Sequence, residues 1–141
     1  MPDRGMTVSP VSGWLLIVGG AALALATFLT WFEIAGAELN AWEGLRRSDV
    51  VIFGAGLVAA LCGAWLLFGD VGPEARAVAA IGAGVAAIGA VIVIVRMISP
   101  PGDADLEIGI FLALVAAGVG VVGGLLAVAS AAPAARSPGD E

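Results

Sequence analysis

Apolar residues run almost unbroken through four stretches of the chain, Trp14 to Phe32, Val50 to Phe68, Ala77 to Val95 and Ile108 to Ala129, and polar residues collect between them. Each stretch is about the length a helix needs to cross ~30 Å of hydrocarbon at ~1.5 Å per residue. The connections, about 17, 8 and 12 residues long, are too short for a separate domain and make consecutive helices antiparallel neighbours. The pattern predicts an all-α integral membrane protein, a four-helix bundle of up-down hairpins spanning residues 13–131. Residues 1–12 and 132–141 mix Pro, Gly, Ser and charge without periodicity and read as disordered tails.

Composition sharpens this picture. Of 141 residues, 60% are hydrophobic and 13% charged, and the mean hydropathy of +1.06 excludes an ordinary water-soluble domain. The net charge of −6 argues against nucleic acid as a partner and against a polybasic grip on anionic lipid, which leaves the bilayer contact to the spans themselves. His, Tyr, Lys and Gln are missing, so the usual general base at neutral pH is absent. The acids lie outside the spans, and no cofactor or metal signature is present. We therefore expect neither an enzyme nor a bound cofactor. A lone cysteine, Cys62, cannot close an intramolecular disulfide.

Within the spans the candidates are structural. Trp14 and Trp65 fall at the span edges on the side of the termini, Trp31 and Trp42 at the opposite edges, the pattern of an aromatic belt anchored in the two interfaces. Small residues recur at helical spacing, and the last span holds a GxxxG pair, Gly120 and Gly124, extended one turn earlier by Ala116. Such a face lets backbones approach closely, inside the bundle or in a homo-oligomer.

The first connection is the most structured of the soluble segments. Leu39, Trp42 and Leu45 recur every three residues, Glu43 can pair with Arg46 or Arg47, and Asn40 can cap the start, which predicts a short helix lying in the interface. Ser48 or Asp49 can then cap the second span. Trp42, Glu43, Arg46 and Arg47 combine a large aromatic with both signs of charge and form the candidate docking patch for a membrane protein partner. In the third connection Asp103, Asp105 and Glu107 alternate, but the spacing of a calcium loop is missing. They read as acids decorating the amino end of the fourth helix.

Arginines split evenly between the two sides and give no orientation. The longest connection is more easily placed outside, so both termini are expected in the cytoplasm. A signal peptide ending near Ala24-Leu25-Ala26 is the rival for the first run, but the apolar stretch continues to Phe32, beyond a typical signal core. In length and span count the chain looks like a small multidrug transporter, yet the first span has no glutamate to carry a proton-coupled cycle. The segments WFEIAG, NAWEGL followed by Asp49, and RMISPPG ahead of a Gly-rich last span are similar to those of uncharacterised small four-span membrane proteins of actinobacteria. That resemblance implies no catalytic residues. The expected role is a structural or interaction subunit, or a regulator, of a complex in the cytoplasmic membrane. The alternative is an oligomeric passive pore.

Overall fold

The computed structural model describes residues 9–34, 37–40, 48–69, 72–99 and 105–131. Along the chain run α1 (Pro10–Ala26), β1 (Thr30–Ile34), β2 (Ala37–Asn40), α2 (Ser48–Phe68), α3 (Ala75–Ile98), β3 (Asp105–Leu106) and α4 (Ile108–Ser130). The helices pack as a bundle. Val50–Phe68, Ala75–Ile98 and Ile108–Ser130 are each long and apolar enough to cross a membrane, whereas α1 is a shorter apolar helix of 17 residues.

Helix α1 departs from its expected boundaries at both ends. It starts at Pro10, inside the segment read as a disordered tail, because a proline at the first helical position has no N–H to waste and its fixed φ suits the helix. Ser12 is buried there and donates its hydroxyl to the Ser9 carbonyl at 2.6 Å. The helix stops at Ala26 although the chain stays apolar to Phe32. The N–H groups of Thr27, Phe28 and Leu29 turn to carbonyls three residues back, a tightened last turn, and the β-branched and aromatic residues beyond enter a strand instead.

Around the bundle, α1 packs against α2 and α4, and α3 packs against the same two, so the four helices form a ring in chain order. The centre is filled from α1. Leu16 and Leu23, both fully buried, reach across to α3, where their methyl groups stand against Gly82 and Gly89. Both pairs are seven residues apart, the repeat that keeps a seam aligned between helices running in the same direction. Ile52, Val93 and Ile110 close the half of the core around Leu23, while Ala59, Ala79 and Ala127 close the half around Leu16.

The connections at one end of the bundle form a small antiparallel sheet in the order β2-β1-β3. Glu33 pairs with Glu38 on one side and with Asp105 on the other, and Phe32 pairs with Leu39 and Leu106. The sheet corrects part of the helix expected in the first connection, since Leu39 and Asn40 belong to β2. Trp42, Glu43, Leu45, Arg46 and Arg47 lie outside the described residues.

Candidate functional site

Two places separate this bundle from a plain membrane anchor: its glycine seams and the sheet-capped end. At the α1–α2 crossing, a β-carbon on Gly20 would lie 2.5 Å from the Gly56 carbonyl oxygen and the Ala60 nitrogen. At the α1–α4 crossing, Gly19 meets the backbone of Gly120 and the Ala116 carbonyl with the same intimacy. Lipid offers helices no hydrophobic reason to associate, so such backbone contacts supply the dispersion and weak hydrogen bonding that hold the seams.

The three small residues singled out on the last helix are all buried in these seams. Ala116 and Gly120 face α1, Gly120 also stands against the Ala86 methyl, and Gly124 abuts the Ala83 backbone of α3. Gly118, between them in sequence, meets nothing within 4 Å. Of the tryptophans, Trp14 is 53% exposed and packs edge-on against Phe68, with ring centroids 6.3 Å apart. Trp65, half-buried, lies against the Leu16 half of the core at the same end. Trp31 belongs to β1, and Trp42 lies outside the described residues. At the opposite end Phe28 and Phe53 make a second edge-on pair, so aromatic contacts flank the α1–α2 seam.

Among the described residues the buried polar side chains are Ser12 and Thr27, and each hydroxyl donates to a carbonyl three residues back on its own chain. They are satisfied locally and present no reactive group to the core. The Ser9 N–H donates to the Ser130 hydroxyl at 3.2 Å, joining the start of α1 to the end of α4. Among the described residues no group of three or more His, Cys, Asp or Glu is gathered to hold a metal ion.

At the sheet end the register aligns Glu38, Glu33 and Asp105 in one row across three strands. Glu107 precedes α4 in an extended conformation and gives the helix dipole a further acid at its positive end. Between α1 and α4 lies an apolar groove of about 410 Å³. Neither feature was foreseen. The β-branched and aromatic residues Thr30, Trp31, Phe32 and Ile34, with Gly36 after them, are a strand-and-turn signal that the hydropathy of the first run conceals. No family model matches the chain, and no curated protein or solved structure matches it either.

Proposed function

We propose that this chain is a multi-pass protein of the cytoplasmic membrane, crossing it four times with both termini inside, and that it serves as a structural or regulatory subunit of a membrane complex. The filled centre of the bundle carries the reading. Leu16 and Leu23 occupy the axis, Gly82 and Gly89 receive them, and the polar hydroxyls of the core are spent on local backbone. A helix bundle with such a core gives a solute no path through one chain and supplies no embedded carboxylate for coupled transport. The relatedness to small actinobacterial four-span proteins belongs to the same proposal.

The first connection, through Trp42, Glu43, Arg46 and Arg47, is the docking surface of this reading. Affinity purification from native membranes tests it, comparing wild type with Trp42→Phe and with Arg46 and Arg47 both reversed to Glu. A stoichiometric partner depleted by the changes, with insertion unaltered, supports docking. Undiminished co-purification from well-inserted variants leaves the segment a membrane anchor. Reporter fusions after Gly36 and Ala135 test the orientation: an external tail with an internal first connection reverses it, and opposite sides for the two sites refute an even number of spans.

A further inference from the structure

We propose that this chain thins the bilayer on one side only: the leaflet at the sheet end is about 6 Å shallower beside α1 than beside α3. The inference rests on the reading that α1 crosses the membrane. With 17 residues α1 is about 25 Å long, against about 36 Å for the 24 residues of α3 and about 34 Å for the 23 of α4. The hydrogen bond between Ser9 and Ser130 sets the start of α1 beside the end of α4, so the shortfall lies at the sheet end.

Contacts with both neighbours measure it. Leu29, the last residue of the turn after α1, lines the same groove as Leu112, the fifth residue of α4. Phe28 packs against Phe53, the sixth residue of α2. Both neighbours therefore run on by four or five residues, about 6–8 Å, past the level at which α1 and its turn end. There the backbone changes from helix to open sheet. Thr30 follows Leu29 and pairs with Asn40, and among the described residues β2 and β3 are the edges of the sheet. A helix keeps its backbone hydrogen bonds within itself and can stand in hydrocarbon, whereas the edge of an open sheet finds no partners in lipid. Head groups and water must therefore descend to the sheet beside α1. Diagonally across the ring, α3 offers about 30 Å of helix between Arg76 and Arg96, the ordinary thickness of the hydrocarbon layer.

The test places nitroxide labels at single cysteines in a Cys62→Ala background and reads their depth from accessibility to oxygen and to a nickel chelate. The full chain is reconstituted in dioleoylphosphatidylcholine. Leu25 of α1 and Val95 of α3 are exposed at one height: both stand level with Leu112, counting from Gly19 against Ala116 and Gly120 and from Ala83 against Gly124. Val11 and Ile81, exposed and level with Leu126 by the same count, are the reference pair at the other end. We expect the label at Leu25 to lie about 6 Å nearer the head groups than the label at Val95, and the reference pair to lie at equal depth. Equal depths at Leu25 and Val95 would overturn the proposal. Offsets of opposite sign in the two pairs would overturn it in favour of a tilted bundle in a flat bilayer. A Leu25 label closed to both reagents would put protein rather than lipid on this face and overturn it as well. A label at Val18, midway along α1, separates the two readings: in hydrocarbon it upholds the crossing whatever the other pairs show, and in water it refutes the crossing by α1 and the thinning with it.

Discussion

Glycine does opposite things in two regions of this bundle. Gly20 and Gly56 lie where α1 and α2 touch backbone to backbone, and each would drive a β-carbon to within 2.6 Å of a carbonyl oxygen across the seam. Gly54, Gly84 and Gly118 sit on the same kinds of helix with nothing within 4 Å. The residue and its local conformation are alike, so the difference lies in the neighbour. In the seams glycine permits close approach, and on the rim it only gives up the stability that alanine would bring to a helix.

The sharpest way to break the comparison is to enlarge both kinds of glycine equally. Gly20→Leu and Gly124→Leu should force their seams apart and lower stability by about 3 kcal/mol or more, read as thermal unfolding in detergent. Gly118→Leu should change it little. Equal loss at all three positions would remove the distinction between seam and rim. Next in size, Leu23→Ala should cost ~2–4 kcal/mol by emptying the axis of the bundle. Adding Gly89→Leu should recover part of that loss in a double-mutant cycle, because the side chain then enters from the facing helix.

Smaller effects sharpen the contrast. A β-carbon on Gly82 would meet the flexible end of Leu16 and the Cys62 β-carbon at 3.2 Å, close but yielding. Gly82→Ala should therefore fall between the extremes, destabilising by about 1 kcal/mol in the same unfolding measurement. At the rim, Gly118→Ala should raise stability by ~0.5–1 kcal/mol through helix propensity alone. A destabilised Gly118→Ala would show that the outer face of α4 is covered by another molecule.

Hydropathy made three helices legible almost to the residue: Val50 to Phe68, Ala77 to Val95 and Ile108 to Ala129 against Ser48–Phe68, Ala75–Ile98 and Ile108–Ser130. It failed at the first run because it measures affinity for an apolar phase and is blind to backbone conformation. Thr30, Trp31, Phe32 and Ile34 are as apolar as a span requires, yet β-branching and aromatic bulk suit them to a strand. Pro10 marked the true start more clearly than the onset of hydrophobicity did. The face of Ala116, Gly120 and Gly124 could be drawn from spacing, but which helix meets it could not, since one glycine-rich face looks like another until the ring order is known. The row of Glu38, Glu33 and Asp105 depends on register between strands far apart in sequence, information that no local pattern contains.

The hydrogen bond from Ser9 to Ser130 closes the ring of helices at the point where the covalent chain is open. Every helix then has a neighbour on each side, and none is terminal in space. A chain joined from Ala131 to Ser9 by a short linker, and cut instead between Gly69 and Gly72, would keep all four seams and the sheet in place. The bundle is circular in its packing and linear only in its synthesis, so the position of the first residue is a matter of how the protein is made rather than of how it is held together.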